Sequence, residues 1–469
     1  MKRIKYYIAV LVTGTLLLSS CSESFFDINV SPNNPAVVTP SLVLPSAISG
    51  SAYVMGGYYQ ALGGFWSQQY GQSSGASQWA EWESYNLDES DFDRQFFTMY
   101  EGSLFDYEYV RNSAKSSQNW SIYSIATVMQ AYSFQVLADL YDKIPFTEAL
   151  KGTANLQPHY NDGTLVYDSL LTRIDNAMSK DFSVSTSVSP GTSDVVFGGK
   201  MDDWRKFANT LKLKIYLRYV NVDANKYKTQ IQALLTENNF LDKDAKFSSF
   251  KGEQTNANPF YNTFGDRLTG NVVANSTLMS FLDNNTDPRK SKLFKAASKD
   301  ASYTSIATGD SKNHPTLTIA NYATPTLLSD PVAPVYFFSK EEVLFLIAEA
   351  QERYGTTAAA KTAYDAAISA SLVSLGLAAN AKTYPYNGIQ SIIEQKWVAA
   401  TNKRSLESFF DYNRTGYPNF FTKSITSIFA GNEKPRRLFF PSSERKSNAN
   451  TPAKVALTEK VWWGKAVIW

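Results

Sequence analysis

The chain has 469 residues and a formal net charge of +2, 45 Lys and Arg against 43 Asp and Glu, a balance that excludes a nucleic-acid surface driven by phosphate contacts. One cysteine and two histidines exclude a disulfide framework and a zinc site built on those ligands. The length allows one large helical domain or two to three smaller ones, and the 14% aromatic content can fill a core and leave rings for recognition surfaces.

The chain opens on Lys2, Arg3 and Lys5, then an uncharged apolar run from Ile8 to Leu18, then Ser19 and Ser20. That is the layout of a secretion signal, and the run is shorter than the about 20 residues that span a membrane. Leu18–Cys21 resembles the box at which bacterial lipoprotein signals are cut before a cysteine that is then lipidated. Residues 1–20 are therefore expected to form a signal peptide and Cys21 to carry lipid. Residues 21–45, broken by Asn, Pro and Ser clusters, read as an extended tether. Residues 46–469 are left as the functional domain. Its first stretch, SAISGSAYVMGGYYQALGGFW, is apolar but glycine-rich, so it is either one closely packed helix or two short pieces.

Helical periodicity becomes clear from Trp120 to Tyr141, where Ile122, Ile125, Met129, Tyr132, Val136 and Leu140 line one face. Pro145 ends or redirects it. Tyr167–Met178, Trp204–Val222 and Tyr227–Leu235 are further helices. Residues 246–275 read as loop, VVANSTLMSFLD turns helical, and residues 298–335 suggest a long loop or short strands. Ser339 and Glu342 have the spacing of a capping box, and Gly355 fits a C-terminal stop. In the following helix Ala360, Tyr364 and Ala367 have the small–aromatic–small spacing of a tetratricopeptide unit, which needs neighbouring units to bury its faces. SIIEQKWVAATNKRSLESFFDYNRTG reads as one amphipathic support helix.

Little of this points to catalysis. His159 and His314 lack ligand-spaced partners, and the glycine clusters lack phosphate-loop or dinucleotide patterns. A serine triad can scatter through a sequence, but no nucleophile motif marks one. Glu81, Glu83, Asp88 and Glu89 do not single out a glycosidase acid and base. Asp88, Asp91 and Asp93 offer hard oxygens for calcium, without the glycine and terminal glutamate of a hand-type loop. The alternative is an acidic helix start favoured by the helix dipole. Sugar rings stack their C–H faces on Trp or Tyr and bond through their hydroxyls. Trp66, Trp79, Trp82 and Tyr85 offer such groups in one polar, glycine-bearing region, and Tyr261, Phe264 and Arg267 add a second wall and a charged donor. Replacing Trp79 or Trp82 is expected to weaken binding and leave the fold intact.

Five stretches in order carry a resemblance: Cys21 with SFFDINVSPNNP; ADLYDKIPFTEAL at 138–150; NTDPR at 285–289; EEVLFLIAEA at 341–350; and RRLFFPSSERKSNAN at 436–450. Together they resemble the SusD/RagB family of outer-membrane nutrient-binding lipoproteins of Bacteroidetes, in its SusD-like branch. The resemblance implies an all-α fold with four tetratricopeptide-like helix pairs supporting an irregular, loop-rich subdomain. It implies structural roles for the motifs: a turn and ion pair at Asp287, Pro288 and Arg289, a scaffold position for Glu349, and an ordered C-terminal loop at Arg437, Pro441 and Glu444. It further implies a surface-exposed, lipid-anchored lid on a SusC-like, TonB-dependent outer-membrane barrel, delivering an oligosaccharide without covalent chemistry and without a nucleic-acid partner. A peptide ligand, a structural lid with little affinity and a secreted glycan hydrolase are the alternatives.

Overall fold

The computed structural model describes residues 38–465, so Cys21, the signal at 1–20 and most of the 21–45 tether lie outside the described residues. Helix α1 (Pro40–Gly56) begins within the stretch expected to be extended. Pro40 sits at the first helical position, where its missing N–H costs nothing. Leu44, Ala47 and Ile48 then bury the new helix, and Pro45 is tolerated inside it. The glycine-rich run is two pieces: the chain leaves the helix at Gly57 and re-enters α2 (Tyr58–Trp66). Close contact applies as well. A Cβ on Gly63 would lie 2.3 Å from the backbone nitrogen of Leu406.

The chain continues through β1 (Tyr70–Gln72), α3 (Ala80–Ser84), α4 (Asp93–Met99), a π-turn at Tyr100–Leu104 and α5 (Phe105–Ser116). Helix α6 (Trp120–Tyr141) starts at Asn119, whose side chain accepts the Ile122 N–H. The expected apolar face is buried, but so is every other residue from Ser121 to Tyr141. A helix buried all round is the centre of the fold rather than its edge. After β2 (Ile144–Pro145) and β3 (Tyr160–Asn161) come α7 (Gly163–Met178), α8 (Met201–Arg218) and α9 (Lys228–Glu237). The stretch read as loop holds β4 (Ala245–Phe247), a π-turn at Tyr261–Arg267 and β5 (Val272–Ala274). Then follow α10 (Ser276–Asn284), α11 (Lys290–Leu293), β6 (Phe294–Lys295), β7 (Thr324–Pro325) and β8 (Val335–Phe338). The C-terminal part carries α12 (Lys340–Tyr354), α13 (Thr357–Ser374), α14 (Gly388–Ala400), α15 (Ser405–Thr415) and α16 (Ser442–Ser447).

Four helix pairs, α6/α7, α8/α9, α12/α13 and α14/α15, form the scaffold. Ala360, Tyr364 and Ala367 are buried in the α12/α13 pair as their spacing predicts. The strands form only two-stranded antiparallel ribbons, β1–β5, β2–β3, β4–β8 and β6–β7. In the first, Tyr70 faces Ala274 and Gln72 faces Val272, joining segments 200 residues apart (roughly, by sequence position).

Two expectations change. The support helix at 391–416 is broken in two, because Asn402 adopts a positive φ of 66° and Arg404 turns inward. The capping box is half formed. Ser339 accepts the Glu342 N–H at 3.3 Å, but the Glu342 carboxylate turns to Arg404 at 3.0 Å. That pair belongs to a charged network through the scaffold core. Arg218 meets Asp139 and Glu407, each at 3.0 Å, Lys396 meets Asp411 at 2.8 Å, and Arg414 joins Asp411 at 2.8 Å to Glu349. Lys214 also pairs with Glu407. Burial alone would raise the Glu407 carboxyl, but Lys214, Arg404 and Arg218 outweigh it and hold it well below the usual carboxylate range.

The family motifs sit where structure needs them. Asp287 accepts both the backbone N–H and the guanidinium of buried Arg289, which also reaches Gln395 at 2.6 Å. Glu349 joins α12 to Arg414 on α15 and to Arg353. Arg437 donates to the Tyr141 carbonyl, Pro441 precedes α16, and Glu444 accepts from Tyr160 at 3.2 Å.

Candidate functional site

The structure brings the two aromatic stretches together. Gln72 organises the turn after β1: its side-chain oxygen accepts the Trp79 N–H at 2.8 Å, and its amide donates to Asn271 at 3.1 Å. Glu83 on α3 ties the same region down, accepting the backbone N–H of Gln72 at 2.9 Å and of Gly309 at 3.0 Å. These bonds place Trp79 against Trp82, ring centroids 4.7 Å apart, and against Phe264 of the 261–267 π-turn at 5.0 Å. Trp66 lies farther along, edge-on to Tyr85 at 6.4 Å and to Phe409 at 5.0 Å.

All five rings are core. Trp66, Trp79, Trp82, Tyr85 and Phe264 are at most 5% exposed. They present no open face to a ligand, so the expectation that Trp79 or Trp82 could be removed without harming the fold is corrected. The physical reason is local. This half has short helices and ribbons, so large side chains must supply the buried apolar area. The Trp66 indole donates to the Trp82 carbonyl at 3.0 Å, whereas the buried Trp79 indole N–H has no hydrogen-bond partner among the described residues.

The ring that reaches the surface is Tyr58, which the sequence did not single out. It is half-buried, 5.9 Å from both Trp79 and Trp82 and 5.7 Å from Phe264. Tyr53, one turn earlier, is 45% exposed. Arg267, at the end of the π-turn, and Arg94, on α4, are exposed. Burial raises the Tyr58 hydroxyl's pKa; Arg267 and Arg94 lie close enough to oppose that rise, and Tyr53 adds to it. Tyr261 is half-buried on the same π-turn. The arrangement is a partly exposed tyrosine on a fixed aromatic base. It can stack a planar or C–H face and hydrogen-bond its substituents. The sequence signal for Tyr58 is its place directly after Gly56-Gly57, where the structure breaks the helix.

The acidic stretch is not gathered as a metal site. Asp93 accepts from Ser442 N–H, Ser442 Oγ and Ser443 N–H and so orders the start of α16. Asp88 and Asp91 bond within their own turn. Among the described residues no cluster of three or more His, Cys, Asp or Glu could hold a metal. His159 pairs with Glu148 and His314 with Asp310, each at 2.9 Å near the surface. A groove of about 680 Å³ lies between the 242–244 turn and helices α12 and α13, but charged and small side chains line it and it holds no ring. No helix among the described residues is long and apolar enough to cross a membrane.

A family model described as SusD-like, starch-binding and associating with the outer membrane, matches residues 32–441. Among solved structures, a SusD-like protein from Bacteroides thetaiotaomicron superposes with a TM-score of 0.75 at 22% identity, over 91% of this chain and 99% of that one. A SusD/RagB family protein from the same organism gives 0.76 at 20%, over 92% and 100%. A chitin-binding SusD homologue from Flavobacterium johnsoniae gives 0.74 at 19%, over 90% and 99%. A comparison with curated proteins returns no match.

Proposed function

The chain belongs to the SusD-like family, and from that premise we propose that it captures an oligosaccharide at the cell surface and passes it to a SusC-like, TonB-dependent outer-membrane barrel. It binds and does not cleave. Lipid on Cys21 anchors it beside that partner; two acyl chains hold durably where one does not. The family description supports the carbohydrate class and the outer-membrane setting. The observation that supports this reading is Tyr58, half-buried on the Trp79–Trp82–Phe264 base.

Titration calorimetry of wild type and Tyr58→Ala against plant, host and microbial glycans tests this reading. The variant should bind about tenfold more weakly, the loss of one stacking contact of ~1.4 kcal/mol, without release of product. Unchanged affinity removes the platform. Saturable binding only to peptides moves the ligand class.

A further inference from the structure

Three charged groups of the scaffold network keep hydrogen-bonding capacity that no other described residue takes up. Glu341 accepts from Lys403 at 2.5 Å through Oε1, and Glu342 accepts from the Arg404 guanidinium at 3.0 Å through Oε2. The other oxygen of each carboxylate, Glu341 Oε2 and Glu342 Oε1, has no hydrogen-bond partner among the described residues. Lys396 Nζ lies 2.8 Å from Asp411 as an ion pair, yet it forms no aligned hydrogen bond among them either, so N–H groups are left over. All three side chains are at most 3% exposed, so bulk solvent does not serve them. Nor are they scattered. Glu341 and Glu342 at the start of α12 and Lys396 on α14 line one cavity of about 10 Å³, together with Arg404 and Glu407. Those last two are already engaged: Arg404 donates to Glu342, Tyr132 and Glu407, and Glu407 also accepts from Lys214 and Arg218.

A cavity of this size has room for a single water, and a buried charged group short of a partner is costly. The walls ask for two donors and one acceptor carried by a neutral molecule. A metal cation would meet the Lys396 ammonium, an anion would meet two carboxylates, and each of those carboxylates already has its own cation in Lys403 or Arg404. We infer that the cavity is a binding site for one water molecule, which donates to Glu341 Oε2 and Glu342 Oε1 and accepts from Lys396 Nζ. Three hydrogen bonds are the usual complement of an internal water. The water bridges α12 to α14 and so joins the third helix pair to the fourth alongside the ion pairs. Glu341 is also a wall of the 680 Å³ surface groove, which puts solvent on the other side of that side chain.

Crystals of the mature protein that diffract well enough to show ordered water test this directly, with separate soaks in rubidium chloride and sodium bromide. One peak should stand at hydrogen-bond distance, about 2.7–3.2 Å, from all three atoms. It should have the density of an oxygen, give no anomalous signal in either soak and recur in a second crystal form. An anomalous peak at that position with rubidium makes it a cation site, and one with bromide an anion site; either result overturns the inference. A cavity without density overturns it too, and so does a Lys396 side chain bonded directly to either glutamate.

Discussion

Glu83 makes stability depend on pH in a direction fixed by its surroundings. Its carboxyl is 1% exposed and accepts the backbone N–H groups of Gln72 and Gly309. Burial pushes its pKa up from 4.5 to about 8, against the pull of those two amides and with a further push from Asp310. Between those values the folded protein holds a proton that the unfolded chain has lost, so stability falls as pH rises. The contribution is complete below 4.5 and lost as pH climbs through about 8. At ~1.4 kcal/mol per unit, the shift is worth about 5 kcal/mol over the whole window and ~4 kcal/mol between about pH 5 and about pH 8. Glu83→Gln cannot titrate. Its oxygen serves one backbone N–H, but its amide nitrogen faces the other, which adds a cost independent of pH. Urea unfolding of both proteins across that range isolates the group, because distant titrations cancel in the difference. Wild type should be the more stable at about pH 5 and lose ~4 kcal/mol relative to the variant by about pH 8. A difference that stays flat, or widens with pH, refutes a buried carboxyl held neutral.

Trp82→Ala should cost ~3–5 kcal/mol in denaturant unfolding, as removal of a packed core ring does; a loss below ~1 kcal/mol would mean the ring is not core. Arg289→Met should cost ~3–5 kcal/mol by leaving the buried Asp287 carboxylate without its partner. Asp287→Asn in that background should recover part of the loss, and a simply additive double variant would show the pair is uncoupled. Cys21→Ala should leave glycan affinity intact but release the protein from the membrane fraction; retention would remove the lipid anchor from the proposal.

The scaffold was legible in the sequence wherever one helix face differs from the other. Ser339 and Gly355 mark both ends of α12, and Ala360, Tyr364 and Ala367 mark its packing against α13. Legibility failed where tertiary context overrides local preference. Proline at 40 and 45 signals a break, yet helix α1 runs through both because its apolar residues find a core. The 391–416 stretch keeps an unbroken helical period, but buried charges decide its shape: Arg404 turns in to Glu342 and Glu407, and the chain bends at Asn402 to let it. No one-dimensional pattern shows that Lys214, on another helix, will supply Glu407 with a second cation.

The site was half legible for a related reason. Aromatic density does locate the right region, since Trp79 and Phe264 meet across the fold. It cannot separate rings that bind from rings that support. Tyr58 and Tyr59 are sequence neighbours with opposite fates: Tyr59 is 0% exposed and bonds Tyr141, while Tyr58 stands half-open over the tryptophans. The break at Gly57 sets which of the two turns out. On the proposed function, the buried rings still serve the ligand at one remove. A tyrosine on a loose loop would give up rotamer freedom at every binding event, whereas one clamped by Trp79, Trp82 and Phe264 has given it up on folding. The tryptophans the sequence marks as platforms are then positioning residues, and their density is what a rigid platform needs beneath it in a region without long helices.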